Sequence, residues 1–380
     1  MVPFPTVPGD TIGIGFVGYG WISRAHAHAL HTLAHIRPLA QKIRLVAMAG
    51  RTGERVAAVA RELGFERSTT DWRDVVEDDR VDVVVNVAAN EAHAAPSIAA
   101  LELGKGVLCE KPLGVDAAQA LEMARAAERS GTTSACGFNY RYVPAVRLLR
   151  ELVASEALGA LRHFRGLYLQ DWMAAERLLQ RAERGGAVLD YSHIVDLLRH
   201  LAGEPIAVSA HATSFRSRDE DAYVAALDLP ERAIASLEAS RFATGWKGRQ
   251  RLELNGSDGS AWWDMEDINR LRVFFVKDER EGLGGFRDVL VTEPGHPFLE
   301  QWWTPGHVLG WDVSFVHQWR DFLEAFVENR PVSPLQASFA DGYEAAVVCD
   351  AIVASAREGR RVEIEDVKRA LATQETEGGT

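Results

Sequence analysis

Cysteine is scarce, with three in 380 residues: Cys109, Cys136 and Cys349. A set that small and odd in number excludes a disulfide framework and fits a reducing compartment. Long apolar runs are missing too, since no stretch approaches the ~18 residues that a membrane span requires. The opening Met1-Val-Pro-Phe-Pro-Thr-Val-Pro8 has neither a basic n-region nor an apolar h-region, so no secretory leader is expected. Basic charge is in deficit, 42 Lys and Arg against 54 Asp and Glu, a net of −12. Phosphate surfaces demand a basic stripe, so neither nucleic acid nor an anionic membrane is an expected partner. Internal repeats and low-complexity segments are also lacking. The rest is ordinary: 47% hydrophobic and 25% charged residues match a soluble globular protein. At roughly 150 residues per domain the length suggests two domains, with three as the alternative. A chain of this size buries about three quarters of its unfolded surface without staples. A soluble, cytoplasmic, two-domain protein is expected.

The first domain, residues 1–135, alternates short β-branched runs with alanine-rich stretches. Strands are expected at Thr11–Val17, Arg44–Ala49, Val81–Ala88 and Val107–Cys109. Helices are expected over Ser23 to His35, Arg55–Leu63, Ala94–Leu103 and Ala117–Ser130, the last two ended by Gly104 and Gly131. Val81–Ala88 has no period-two alternation, as befits a strand buried on both faces. The βαβα rhythm implies a doubly wound parallel sheet with right-handed crossovers. The second domain, residues 136–380, changes rhythm. Six strands are expected, at Leu161–Gln170, Ala207–Phe215, Tyr223–Leu229, Ala233–Ala239, Arg251–Leu254 and Leu271–Val276, punctuated by turns such as Asn255-Gly-Ser-Asp-Gly. One helix, Asp190–Ala202, interrupts them. Asp312–Asn329 and Asp341–Arg357 read as later helices, with the alternative that these C-terminal helices pack back on the first domain, and Thr373–Thr380 reads as frayed. The second domain is therefore α+β, with a large open, mainly antiparallel sheet.

Chemistry enters at Gly15-Phe-Val-Gly18-Tyr-Gly20-Trp21-Ile22-Ser23, which follows the first strand and opens the first helix. That is the context of a dinucleotide fingerprint. One glycine makes the tight turn, and the next lets the backbone approach a pyrophosphate at the helix N-terminus. Those are Gly18 and Gly20, and the third position is a small Ser23 in place of Gly or Ala. The bland alternative is a tight turn before an ordinary helix. At the end of the second strand an NAD enzyme usually places a carboxylate for the ribose 2′-hydroxyl. This chain has Gly50-Arg51-Thr52 there. Gly50 leaves room, and Arg51 and Thr52 can donate to a 2′-phosphate, which favours NADP over NAD. The alternative is that Arg51 stacks on the adenine.

Cys109-Glu110-Lys111-Pro112 closes the fourth expected strand and would put an ammonium at the carboxyl end of an open α/β sheet. Taken alone, Lys111 reads as a solvated lysine. Gly185-Gly-Ala-Val-Leu-Asp190-Tyr-Ser-His193 opens the second-domain helix, and Asp190 and His193 are three positions apart, so both project on one side of its first turn. The positive end of the dipole favours neutral imidazole, the form a general base needs. Taken alone, Asp190 reads as a cap and His193 as a satisfied core histidine. His26, His28, His31 and His35 share one helix, but no Cys, Asp or Glu lies near them to complete a tetrahedral metal site, and no metal is expected.

In this order the motifs resemble the glucose–fructose oxidoreductase / inositol dehydrogenase / rhizopine catabolism (Gfo/Idh/MocA) family. The matching segments are Gly15–Ser23, Ala89-Asn90-Glu-Ala-His93, Glu110-Lys111-Pro112, Gly137-Phe-Asn139-Tyr-Arg141-Tyr142-Val-Pro144, Gly185-Gly186…Asp190…His193…Asp196 and Ser338-Phe-Ala-Asp-Gly-Tyr343. The resemblance spans about residues 10 to 365. It implies an N-terminal Rossmann domain and a nicotinamide-dependent oxidoreductase acting on a secondary hydroxyl, or the ketone, of a sugar, glycoside or cyclitol. Carried over, Lys111, His193 and Asp190 are catalytic. Members often place the aspartate four residues before the histidine, and here the spacing is three. Gly18, Gly20, Trp21, Ile22, Gly50, Arg51, Thr52, Ala88, Asn90, His93, Glu110 and Lys111 would meet the cofactor. Asn139, Arg141, Tyr142, Asp171, Trp172 and His307 would join the catalytic three at the substrate. Phe164-Arg-Gly-Leu-Tyr-Leu-Gln-Asp171-Trp172 and Trp302-Trp303-Thr-Pro-Gly-His307 look like a sugar-dehydrogenase subgroup, because aromatic rings with polar neighbours suit a pyranose. The bland alternative puts Trp302 and Trp303 in a core or an interface.

Two rivals share these motifs: a redox-neutral glycoside hydrolase that oxidises transiently on a retained cofactor, and a non-catalytic cofactor-binding sensor. Outward positions of the second sheet, including Ile234, Val273, Phe274 and Phe275, are apolar and exceed what a monomer exposes, so two-fold self-association is expected, and the family resemblance implies a homodimer or homotetramer.

Overall fold

The computed structural model describes residues 9–36, 38–174, 185–216, 218–279 and 284–378. The leader reading at residues 1–8 and the last two residues of the expected frayed end lie outside them. Two compact units emerge, Met1–Tyr142 with Asp312–Tyr343, and Val143–Trp311 with Glu344–Thr380. The boundary expected at residue 135 thus moves to Tyr142, and a late segment rejoins the first unit. The helix expected at Asp312–Asn329 spans Val313–Val327 and belongs to that late segment.

The first unit holds six parallel strands. They are β1 (Thr11–Val17), β2 (Lys42–Ala49), β3 (Arg67–Thr69), β4 (Val83–Asn86), β5 (Gly106–Cys109) and β6 (Ser134–Cys136), in the order β3-β2-β1-β4-β5-β6. The order reverses between β1 and β4, and the carboxyl ends of strands at such a switch form the ligand crevice of an open α/β sheet. β3 and β6 escape prediction because three residues carry no period. Every residue of β4 and β5 is buried, which accounts for their unbroken apolar runs. Helix Ala117–Ser130 begins where the Asp116 carboxylate accepts the Gln119 N–H at 2.8 Å and ends at Gly131 with φ +63°, both expected termini.

The second unit is built on nine strands. These are β7 (Leu161–Leu169), β8 (Ala207–Thr213), β9 (Ala222–Asp228), β10 (Ile234–Ser240), β11 (Arg249–Gly256), β12 (Gly259–Asp264), β13 (Arg270–Phe275), β14 (Arg287–Leu290) and β15 (Val362–Glu363), in the order β14-β13-β12-β11-β7-β10-β9-β8-β15. All pairings are antiparallel except β7 with β10. The six expected strands are therefore joined by β12, β14 and β15. Helices Pro144–Ala154, absent from the sequence reading, and Ser192–Ala202 pack on one face. Strict alternation in β12 puts Gly259, Ala261 and Trp263 on the covered side.

Three expectations need correction. Val273 belongs to the covered face, while Ile234 on β10 is 56% exposed and stays outward. The helix expected at Asp190–Ala202 is two helices, Ala187–Asp190 and Ser192–Ala202, broken at Tyr191. The expected frayed end is helical as far as Gly378. Among the described residues no helix is long and apolar enough to cross a membrane.

Candidate active site

The glycine turn fits what a dinucleotide requires. Gly18 has φ +110°, and a Cβ there would lie 2.5 Å from the Val87 carbonyl, so only glycine is tolerated. Gly20 has no neighbour within 4 Å of an added Cβ. Its outer side is open, at the N-terminus of helix Trp21–Ile36, where backbone N–H groups and the dipole favour an anion. Ser23 is buried and its hydroxyl donates to the Gly20 carbonyl at 2.6 Å, so the third position closes on the turn itself. Trp21 is exposed and Ile22 half-buried. Gly50 at the end of β2 is needed because the Tyr19 ring would lie 2.0 Å from a Cβ. Arg51 and Thr52 are exposed beside it. Sequence reasoning missed Tyr19.

A buried chain ties this turn to Lys111. Val87 and Ala88 press on Gly18. The His93 ring lies between two carbonyl oxygens, with Nε2 3.3 Å from Ala88 and Nδ1 2.8 Å from Pro112. His93 is thus a strut between the loops after β4 and β5. Its burial holds the imidazole below its ordinary pKa, against the pull of the Pro112 carbonyl and Glu110. Asn86, also missed, donates to the His93 carbonyl at 2.9 Å and to Ser97 at 3.1 Å, which fixes the same loop. Half-buried Asn90 opens the short 3₁₀ turn of that loop.

Behind Lys111 lies a second chain. Glu110 is buried, and its carboxylate accepts from the Lys111 N–H at 3.2 Å through Oε2 and meets His26 Nε2 at 2.9 Å through Oε1. The Trp319 indole donates to His26 Nδ1 at 3.0 Å. A Cβ at Gly137 would lie 2.8 Å from Glu110 Oε1, so this glycine makes the carboxylate's space. The Lys111–Pro112 peptide is cis, and Lys111 is half-buried. Of the other helix histidines, His28 lies 3.1 Å from Asp312 and His31 3.0 Å from the Leu63 carbonyl. Among the described residues no three metal-type side chains assemble.

Asn139, Arg141 and Tyr142, expected at the substrate, are bonded within the first unit. All three are buried. Asn139 donates to Ser314 at 2.8 Å, Arg141 reaches Asp341 at 3.3 Å, and the Tyr142 hydroxyl donates to Asp321 at 2.5 Å. Burial, then Asp321, raises the Tyr142 pKa well above its ordinary value. Their polarity serves the segment Asp312–Tyr343 that returns to this unit.

In the second unit, Asp190 ends its short helix half-buried, and His193 lies buried in the first turn of the next. The segment before them hangs on charges that no motif revealed. Arg241 is buried and donates to the Gly185 and Glu220 carbonyls, both at 3.0 Å, and to Asp221 at 3.2 Å. The Glu220 carboxylate accepts the Val188 N–H at 3.1 Å, and a Cβ at Gly186 would lie 1.8 Å from it. Burial raises the Glu220 pKa, partly offset by the backbone N–H groups it accepts. Beside His193 stands an aromatic group. The Trp172 indole donates to the Tyr191 hydroxyl at 3.2 Å, and the Tyr168 and Tyr191 rings lie 4.6 Å apart. Asp171, expected at substrate, accepts from Lys247 at 2.5 Å and the Gly245 N–H at 3.1 Å, contacts that hold its pKa down. His307 is exposed and bonded to the Thr304 carbonyl at 2.9 Å. Trp303 is exposed and Trp302 half-buried, in edge contact at 5.9 Å. Cys109, Cys136 and Cys349 are buried free thiols, and burial raises the pKa of Cys109 and Cys349.

The chain was compared with known proteins. Residues 12–138 match the oxidoreductase family with NAD-binding Rossmann fold, and residues 146–262 match the GFO/IDH/MocA C-terminal domain. Levoglucosan dehydrogenase of Pseudarthrobacter phenanthrenivorans is 32% identical over 94% of this chain and 99% of its own. A solved levoglucosan dehydrogenase in complex with NADH and L-sorbose superposes with a TM-score of 0.88, at 32% identity over 94% of this chain and 99% of that one. An oxidoreductase domain protein from Kribbella flavida gives 0.89, at 38% identity over 94% and 100%.

Proposed function

The chain belongs to the GFO/IDH/MocA oxidoreductase family, and from that premise we propose that it oxidises a secondary hydroxyl of a sugar, glycoside or cyclitol, or reduces the matching ketone. The observation that carries this is the placement of Lys111. It sits at the carboxyl end of β5, one strand beyond the switch between β1 and β4, and one buried imidazole away from the glycine turn. Gly18, Gly20 and the helix N-terminus would hold a pyrophosphate. When bound, the nicotinamide supplies the hydride acceptor or donor. The protein's own part is proton handling and alignment. His193 takes the hydroxyl proton, Lys111 donates a hydrogen bond to the developing alkoxide, and Asp190 orients the substrate. The half-buried Tyr168 and Trp172 rings, backed by buried Tyr191, offer an apolar face with polar neighbours, which suits the C–H face of a pyranose.

Cofactor choice rests on the end of β2. No carboxylate stands there, and exposed Arg51 and Thr52 favour NADP, while the solved levoglucosan dehydrogenase complex holds NADH. Arg51→Ala should weaken NADP binding selectively; a wild-type preference for NAD by kcat/KM, unchanged in the variant, overturns this choice. The outward face of the second sheet supports self-association. It carries exposed Val224 and Ile234, and a Trp262 ring between the guanidinium groups of Arg251 and Arg272 at 4.2 and 4.7 Å. Light scattering should give at least twice the chain mass, and a monomer mass removes the homo-oligomer. The activity is tested with a panel including levoglucosan and myo-inositol, each with NAD and NADP. Reduced-cofactor absorbance and product chromatography are read together. Absence of turnover across the panel counts against a dehydrogenase, and cleavage with only catalytic cofactor counts for the glycoside hydrolase.

A further inference from the structure

We propose that His26 is a positioning residue for Lys111, acting through Glu110 and locked in one tautomer by Trp319. This rests on the reading of Lys111 above and names a residue outside the family motifs that carry that reading. An indole N–H can only donate, so in its 3.0 Å contact with Trp319 the His26 Nδ1 is the acceptor. The ring proton therefore sits on Nε2 and points at Glu110 Oε1, 2.9 Å away. With one carboxylate oxygen fixed by the imidazole, the other is aimed at the Lys111 N–H.

Nothing in this chain can turn aside cheaply. His26 is fully buried, and Phe16, Phe315 and Trp319 meet its ring edge-on with centroids at 6.4, 5.0 and 5.8 Å. Glu110 is confined by Gly137, where even a Cβ would come within 2.8 Å. Buried polar groups are costly unless satisfied, so the chain is held as a whole or lost as a whole. Its consequence is that helix Val313–Val327, far away in sequence, sets the main chain from which Lys111 projects. An error of about 1 Å in a reacting group can cost about 10²-fold in rate, so loss of this aim should appear in kcat before it appears in binding.

The test has two arms. In the first, ¹⁵N-histidine spectra of the full chain report the tautomer without any turnover. Wild type should show His26 as Nε2–H with an unprotonated Nδ1, and Trp319→Phe should lose that single form. A wild-type ring protonated at Nδ1 overturns the proposal whatever the enzyme's substrate. In the second arm, levoglucosan or myo-inositol, whichever the wild type turns over, is assayed with both cofactors. His26→Leu should lower kcat about 10- to 100-fold, with KM and cofactor Kd changed less than about twofold. His26→Gln keeps an N–H donor in reach of Glu110 and should recover most of the loss. Equal losses in Leu and Gln, or losses that track KM, reduce His26 to a packing residue and overturn the proposal. If wild type turns over neither sugar, the dehydrogenase reading is what fails, and the spectra still decide the proposal.

Discussion

In the first unit Lys111 stands at the end of a fully buried parallel strand, and its supports, His26, His93 and Asn86, are buried groups that bond mostly to backbone or to one carboxylate. In the second unit His193 follows a break between two helices. The chain before it is suspended from the Arg241 guanidinium, with Asp221 and Glu220 around it. The contrast follows from what surrounds each residue. A strand end is already placed by its neighbours on both sides of the sheet, so side chains need only adjust a loop. A helix start outside any sheet has no ladder to hold it, so charge-assisted bonds to carbonyls replace the ladder.

The largest expected effects test whether both halves carry chemistry. Lys111→Ala and His193→Ala should each lower kcat by at least about 10²-fold. The comparison adds that His193→Ala leaves cofactor affinity nearly unchanged, because the glycine turn belongs to the other unit. Near-wild-type turnover in His193→Ala would remove the second unit from the reaction.

Next in size is stability. Arg241→Ala leaves Asp221 as a buried charge without its cation, which typically costs about 3–5 kcal/mol. Arg241→Lys should recover little, since a single ammonium cannot reach two carbonyls and a carboxylate as a planar fork does. His26→Leu should cost less, about 1–3 kcal/mol, because it strands hydrogen-bonding groups rather than a lone buried charge. Urea unfolding measures both. An Arg241→Ala loss no larger than that of His26→Leu would abolish the distinction between the two modes of support.

How much of this was legible in the sequence also differs between the halves. The glycine turn, the run through β4 and the Glu110-Lys111-Pro112 step stand out because their chemistry is contiguous. Asp190 and His193 were legible for the same reason, although Tyr191 breaks the single helix expected there. Arg241, Glu220 and Trp319 were not, because each acts across a long sequence distance and none belongs to a periodic or spaced pattern. Asn139, Arg141 and Tyr142, placed at the substrate by the family resemblance, are buried and bonded to Ser314, Asp341 and Asp321. Those partners were not legible, because Ser314, Asp341 and Asp321 lie more than 170 residues further along the chain.

A smaller effect separates two glycines within one turn. Gly18→Ala meets backbone at 2.5 Å with φ at +110°, and should destabilise the first unit by about 1–3 kcal/mol. Gly20→Ala meets nothing within 4 Å, so stability should stay within about 0.5 kcal/mol. Dinucleotide binding should nevertheless weaken, because the added methyl stands where the pyrophosphate would approach. Thermal melts with calorimetric cofactor titration separate the two outcomes. Unchanged cofactor affinity in Gly20→Ala would mean that its open side faces something else.

The smallest effect is a pair of opposed pH slopes. Burial lowers the His93 pKa from 6.5, so between the folded value and 6.5 the unfolded chain binds more protons. The stability His93 contributes is present above 6.5 and is lost as pH falls through that window. Burial raises the Glu220 pKa from 4.5, so here the folded chain binds more protons. Its contribution is full below 4.5 and is lost as pH rises through the folded value. Acidification from 6.5 towards 4.5 therefore takes stability from the first unit and returns it to the second. Melting temperatures of His93→Gln and Glu220→Gln against wild type, measured across that range, isolate the two slopes. The deficit of His93→Gln should shrink as pH falls, because wild type alone bears the cost of a histidine kept from its proton. The deficit of Glu220→Gln should shrink as pH rises, because wild type alone must then bury a carboxylate. Deficits that stay constant with pH would show that neither group changes its proton affinity on folding, and the two supports would then differ in geometry but not in electrostatics.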